Sequence, residues 1–531
     1  MRAFLTLGIE SQNMPLNSVF RWFIRRRMVN IEMVRTMPVE VQRSVFSNLL
    51  VAGRNTSFGK EHGFDSVRKL QDFQRNVPIR TYDEIKPWID RTRNGEHDVL
   101  WPGQTPWFAK SSGTTSQRSK YLPVTRSALF GCHFKGGQDL LALFSDARPL
   151  SKLYGGKHLV LGGSSSLMEV GSHGYTGDLS AILVDNLPIW VESRRTPHRD
   201  IALMDGWEEK VDAMALATMD EDVRILAGIP SWMLVVVKRV LERSGASTLG
   251  EVWPNLQLFM HGGVNFSPYR AEFESLIGNT KHTLDYFETH NASEGLFGLQ
   301  DRLNEDDLLM MLDYGIYFEF VPISECHSAN PISLELRELE VGEEYALVIS
   351  TNAGLWRYAL GDVIRVTEVH PFRMQVSGRV NAYLNAFGEE LMGHQAEKAM
   401  AEACTLSGAM VRDFTAAPVY MRSNRTGGHE WFIEFVKKPQ TGMLEFMDFL
   451  DASLIRQNSD YAVKRTGGLA IEQPIGHALE PGTFDAWLKS QGKLGGQHKV
   501  PRLSNKRDLI EQIESIRQRT SEDQLKSVES D

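Results

Sequence analysis

From about residue 100 onward the chain alternates Gly-rich turns, short apolar runs and amphipathic helical stretches such as Trp232 to Leu241, which restricts it to a mixed α/β architecture. Tyr345 to Ser350 and Val363 to Val369 read as strands on either side of the turn Asn352-Ala353-Gly354, and Gln375 to Gly378 begins another. The chain before residue 100 reads as helical. There Val77 to Arg80 is extended, and Thr81 and Glu84 have the spacing of a capping box that starts a helix. The aromatic and basic cluster Phe20, Trp22, Phe23, Ile24 and Arg25 to Arg27 lacks a small-residue cleavage site. It continues through Val45, Leu49 and Leu50 as a packed helix rather than a targeting peptide.

At 531 residues the chain exceeds one compact core, since domains hold roughly 100 to 200 residues, so two or three domains are expected. Residues 379–393 carry no clear period and separate a large front part from a smaller region with its own helices and strands. The expected division is a large domain over 1–380, a hinge over 381–392 and a small α+β domain over 393–531. Ser504 to Asp531 reads as a charged helix with a frayed tail.

Hydrophobic residues at 42% and charged residues at 24% are the proportions of a soluble globular protein. The net charge of -9 is spread along the chain, which argues against nucleic acid as the main partner. The longest uncharged apolar stretch in mid-chain, Trp232 to Val237, has six residues, against about 20 for a membrane span. Cys132, Cys326 and Cys404 are far apart, with the spacing of neither a disulfide scaffold nor a zinc site, and they fit a reducing cytoplasm.

Three segments carry chemistry. In Lys110-Ser111-Ser112-Gly113-Thr114-Thr115-Ser116-Gln117-Arg118-Ser119-Lys120, hydroxyl donors, a glycine that admits close approach, and cations make the parts of a phosphate cradle. The Walker spacing is absent, and a solvated Ser/Thr loop has the same composition. In His290-Asn291-Ala292-Ser293-Glu294-Gly295, which follows a strand ending near Phe287, Glu294 read alone is a helix cap. In Tyr358-Ala359-Leu360-Gly361-Asp362, Gly361 puts an acidic residue on a tight turn directly before a strand. There it either accepts ribose hydroxyls or only closes the turn.

In this order and at these separations the three segments resemble the nucleotide-binding motifs of the acyl-adenylate-forming superfamily. Within it the chain resembles the Gretchen Hagen three, auxin-responsive family of acyl acid amido synthetases, in its bacterial form. The resemblance extends to Phe58-Gly59-Lys60-Glu61-His62, Val77 to Trp88, Gly162-Gly163-Ser164, Gly177 to Ile182, Tyr317 to Phe320, His429 to Phe435 and Gln497 to Arg502. It implies a large adenylate-forming domain of mixed sheets flanked by helices, with a small β-barrel, and a smaller mobile α+β C-terminal domain. It also implies that ATP and Mg²⁺ are used. Ser111, Ser112, Gly113, Thr114 and Thr115 would hold the phosphates with Lys120 closing the loop, Ser293 would touch the α-phosphate, and Glu294 would hold Mg²⁺. Asp362 would bind the ribose with help from Arg379, and Lys499 would swing over the adenylate. The family usually has Tyr where this chain has His290, whose smaller ring would pack on adenine.

The reaction so implied is attack of a carboxylate on the α-phosphorus of ATP, loss of pyrophosphate, and transfer of the acyl group from AMP to an amine, an amino acid. Two rivals use the same residues: a ligase that hands the acyl group to coenzyme A or a carrier thiol, and a noncatalytic nucleotide-binding protein. An esterase is excluded, because His261-Gly262-Gly263-Val264 has no Gly-x-Ser-x-Gly turn to serve. Leu308 to Leu312 with Tyr314 and Tyr317 reads as core rather than as an acid pocket.

Overall fold

Parallel strands need crossover connections, and the middle of the chain supplies them as helices. In this computed structural model Lys157–Val160, Arg195–Thr196, Val223–Gly228, Leu258–Gly262 and Asp285–Ala292 lie side by side in parallel. Trp207–Thr218, Pro230–Ser244 and Ser267–Ile277 run between successive strands. Ile225, Leu226, Leu258 and Phe259 are all fully buried, consecutive positions included, as expected for strands covered on both faces. The structure describes residues 26–111, 120–162, 167–170, 174–204, 207–263, 266–278, 280–326, 328, 330–380, 383–384, 389, 391–419, 427–458, 461–462, 465, 471–491, 499–504 and 507–517.

After Ala292 the chain reverses, and the sheet becomes antiparallel through Gly295–Leu299 and Leu308–Met310. It continues through Phe372–Arg379, Tyr358–Val369 and Glu344–Thr351 to Ile316–Pro322 at the edge, eleven strands among the described residues. Leu308 to Leu312 and Tyr314 are buried in its core, as the core reading expects. A second sheet of four strands holds Trp107–Ser111 between Lys120–Val124 and Gly174–Gly177. Among the described residues it is open, with Lys120–Val124 and Met168–Val170 at its edges.

The chain divides into two compact units, one of residues 1–360 and 364–375, the other of 361–363 and 376–531. In the second unit Met410–Val419 and Gly428–Lys437 are antiparallel and Ile475–Leu479 joins them in parallel. The period of two along the central strand builds two cores. Trp431, Ile433 and Phe435 pack with residues of the helices Gly393–Ser407 and Met443–Gln457, while Phe432 packs with Phe484, Trp487 and a helix over 508–517. Among the described residues no helix is long and apolar enough to cross a membrane.

Candidate functional site

The first of the three segments starts and ends on a strand pair. Ser111 stands opposite Lys120 in antiparallel register, so the ends of the intervening loop are clamped together. Ser112, Gly113, Thr114 and Thr115 lie outside the described residues, as does the Ser111 side chain. Lys120 is described, with its ammonium 5.5 Å from the centre of the Tyr82 ring. The Tyr82 hydroxyl also accepts the Tyr121 N–H at 2.8 Å. Tyr82 is held in turn by the start of its helix, Tyr82–Arg93, whose capping box is formed as expected: Glu84 accepts from both the Thr81 N–H and the Thr81 hydroxyl at 2.7 Å.

The second segment departs from expectation. The strand runs on through His290 to Ala292, Ser293 and Glu294 form a two-residue turn, and Gly295 pairs back with Ala292. No helix follows, so Glu294 is not a helix cap; it projects from a hairpin turn and is partly exposed. His290 is 7% exposed and meets the Phe297 ring edge to face at 5.1 Å.

Tyr358 of the third segment reaches that hairpin. Its ring is fully buried and its hydroxyl donates to a Glu294 carboxylate oxygen at 3.3 Å. The backbone around Tyr358 is fixed by the extended segment before Tyr82: Arg80 N–H donates to the Arg357 carbonyl at 3.0 Å, and Ala359 N–H to the Arg80 carbonyl at 2.8 Å. The same short segment thus holds the Ser111–Lys120 strand pair, through Tyr82, and the tyrosine that touches Glu294, through Arg80.

Sequence reasoning missed the anchor of this arrangement. Arg357 has φ +44°, a conformation few non-glycine residues adopt, and its guanidinium is buried against Glu319 at 3.0 Å. It also donates to the Gln74 and Val77 carbonyls at 3.1 and 2.7 Å and to the Ser333 hydroxyl at 2.7 Å. No local pattern marks an arginine as buried. The family-like stretch at Phe58 to His62 supports the same segment from its other side. Arg80 donates to His62 Nε2 at 2.8 Å, while His62 Nδ1 lies 2.9 Å from the Phe58 carbonyl. Burial pushes the imidazole pKa down, which keeps Nε2 an acceptor.

Asp362, Arg379 and Lys499 belong to the second unit. Gly361 does not make the expected tight turn: it is a left-handed residue, φ +85°, inside the continuous strand Tyr358–Val369. Val380 N–H donates to its carbonyl at 2.9 Å, and Arg379 Nε donates to the buried Asp362 carboxylate at 2.8 Å. Lys499 precedes a segment held along Met410–Val419, where Thr415 donates to the Pro501 carbonyl at 2.6 Å and Ala416 N–H to that of Arg502 at 2.9 Å. The ammonium pKa is pushed down to about 8, first by the loss of water around it and next by Arg379, with Asp362 and Glu397 opposing. Lys499 nevertheless keeps over a third of its surface exposed, so a ligand can reach it.

Residues 27–282 match the GH3 family N-terminal domain, 309–379 the GH3 family central domain and 394–508 the GH3 family C-terminal domain. The chain belongs to the GH3 family. Among GH3 relatives it is 25% identical to the indole-3-acetic acid-amido synthetase GH3.8 of Oryza sativa subsp. indica, with 90% of each chain covered. It is 23% identical to the 4-substituted benzoates-glutamate ligase GH3.12 of Arabidopsis thaliana, covering 90% of this chain and 94% of that one. The GH3 fold is also evident in solved structures. GH3.15 acyl acid amido synthetase superposes with a TM-score of 0.74 at 18% identity, over 92% of this chain and 95% of that one. A 2-hydroxyisobutyryl-CoA ligase in its postadenylation state superposes with 0.54 at 13% identity, over 91% and 94%.

Proposed function

We infer that this GH3 chain is an ATP-dependent ligase that adenylates a carboxylic acid, releasing pyrophosphate, and transfers the acyl group to the amine of an amino acid. The observation that carries the reading is the Tyr358–Glu294 hydrogen bond, which ties the Tyr-x-x-Gly-Asp segment to the Ser-Glu-Gly turn in a chain that matches the family along most of its length. The named activities of the GH3.8 and GH3.12 relatives, both joining an acid to an amine, support the amide product.

The residues have separable roles. A carboxylate is a weak electrophile, so the acid must first gain a leaving group, and AMP supplies it. Lys120 and the hydroxyl-rich residues Ser111 to Thr115 offset charge on the phosphates, with Ser293 at the α-phosphate. Glu294 would hold Mg²⁺ together with phosphate oxygens, and the ion would neutralise charge on the departing pyrophosphate. One carboxylate suits a cation that keeps most of its other ligands as water and phosphate. Among the described residues no group of three or more His, Cys, Asp or Glu side chains is arranged to hold a resident metal. Asp362, oriented by Arg379, accepts from the ribose hydroxyls, and His290 lies beside the adenine. Lys499 brings a cation to the reacting phosphate.

The second half reaction needs water excluded and an uncharged amine admitted, which a turning small domain achieves. The pivot belongs before residue 383. Tyr383 and Leu384 pair with Met392 and Leu391, and Glu389 is buried against His429 at 2.9 Å, so this ribbon moves with the second unit.

The test is ATP–pyrophosphate exchange across a panel of carboxylic acids, followed by product analysis with amino acids or coenzyme A. Acid-dependent exchange with amide product is expected. Thioester alone would reassign the chain as a thiol ligase, and no exchange with any acid would leave a nucleotide-binding protein.

A further inference from the structure

Away from these residues, the helix Pro38–Gly53, residues 64–71, the strand Ile316–Pro322 and the turn Leu336–Glu338 enclose a cavity of about 590 Å³. That is within the range of small-ligand sites, roughly 300 to 1,000 Å³. Its wall is aromatic on one side, where Phe46 and Tyr317 meet with ring centres 4.7 Å apart. Tyr317 is 6% exposed, yet its hydroxyl has no hydrogen-bond partner among the described residues and keeps contact with open space. That hydroxyl therefore faces the cavity as a hydrogen-bonding group available to whatever occupies it.

The mouth is cationic. Five arginine and lysine side chains line the cavity against two carboxylates, in a chain whose net charge is -9. One of those carboxylates, Glu335, is already paired with Arg337 at 3.0 Å. Arg43, Arg54 and Lys69 are in no ion pair among the described residues, although most arginines of this protein are paired. A concave surface with an excess of one sign of charge concentrates ions of the other sign.

We propose that this cavity is a binding site for a small organic anion with an apolar body, an aromatic or acyl carboxylate. The ring of such a ligand rests on Phe46, its carboxylate faces Arg43 and Arg54, and the Tyr317 hydroxyl gains a partner. The lining shares no residue with the proposed nucleotide site, so the two can be separated by mutation.

Photolabelling of the full chain with 4-azidobenzoate, followed by peptide mapping, tests this. Saturable label is expected on peptides from 39–54 or 64–71, displaced by benzoate and not by the neutral isostere benzamide. The double variant Arg43→Glu/Arg54→Glu should lose about tenfold or more of it, the effect of roughly one charge-assisted contact. Arg43→Lys/Arg54→Lys should keep most of it, and ATP–pyrophosphate exchange should be the same in all three proteins. Label found only elsewhere, equal displacement by benzamide, or undiminished label in the glutamate variant would each overturn the proposal. If the glutamate variant fails to fold, the benzamide comparison on the wild-type chain still decides.

Discussion

The Tyr358 hydroxyl stands 3.3 Å from a Glu294 carboxylate oxygen, joining residues 64 apart in the chain. Glu294 projects from a two-residue hairpin turn, and the buried tyrosine is a partner that reaches its side chain from a distant strand. Removing that hydroxyl leaves the packing intact and takes one hydrogen bond from the carboxylate. Tyr358→Phe is therefore expected to slow ATP–pyrophosphate exchange by about tenfold or more, the worth of one hydrogen bond to a charged group. Its thermal midpoint should stay close to wild type. Glu294→Gln should lose on the order of a hundredfold or more, as expected when a group that offsets transition-state charge is neutralised. A Tyr358→Phe enzyme as fast as the wild type would mean the contact does not orient Glu294.

Lys499 sets an alkaline limit. Its pKa is pushed down, to about 8, and only the protonated form carries the charge the phosphate needs. Below that value the lysine is cationic and above it neutral, so kcat/KM for ATP should fall as pH rises through a limb well under the ordinary lysine range near 10.4. Lys499→Arg, charged at every accessible pH, should remove the limb; Lys499→Ala should be slow throughout. A limb that persists in the arginine variant would belong to another group.

Local chemistry is readable in this chain and long-range chemistry is not. Thr81 and Glu84 can be placed from the sequence alone because their hydrogen bonds close over three residues. Glu294 reads wrongly as a helix cap because a Ser-Glu turn lacks the Asn-Gly or Asp-Gly signature of a tight hairpin, and an acidic residue after a strand fits a helix start equally well. Gly361 announces a positive φ, but the sequence does not say whether the chain turns there or, as here, a strand continues through it. Arg357 leaves no trace at all: its partners Glu319, Gln74 and Val77 come from distant segments, and only the fold brings them around one guanidinium.

That cluster should be costly to break. Arg357 and Glu319 are 6% and 1% exposed at their side chains, so removing one partner strands a buried charge. Glu319→Ala is expected to destabilise the first unit by about 3–5 kcal/mol, read as a fall in the urea midpoint of its transition. Exchange activity should fall as well, because Arg357 holds the Val77 carbonyl shortly before the Thr81 cap and presents its own carbonyl to Arg80. Loss of less than about 1 kcal/mol would show that water or a neighbour replaces the pair.

Histidines held low by burial, His62, His133, His158 and His261 among them, give the fold an acid edge that carboxylates do not explain. Burial pushes His133 down to about 4 and His261 to about 3, the latter ring stacked on Phe266 at 4.2 Å. Both stay neutral in the folded chain while the unfolded chain takes up protons near pH 6.5, so their contribution is complete above that pH and is lost as pH falls toward 4. Each can lower stability by at most about 1.4 kcal/mol per pH unit across that window. Carboxylates held low by partners, such as Glu430 at about 2 beside His477 and Arg507, lose their contribution only at lower pH, below the ordinary range near 4.3. The interval from pH 6.5 to 5 thus isolates the histidines. Urea midpoints should decline over it, and His261→Leu should flatten the decline; a variant that tracks the wild type at every pH would assign the acid sensitivity elsewhere.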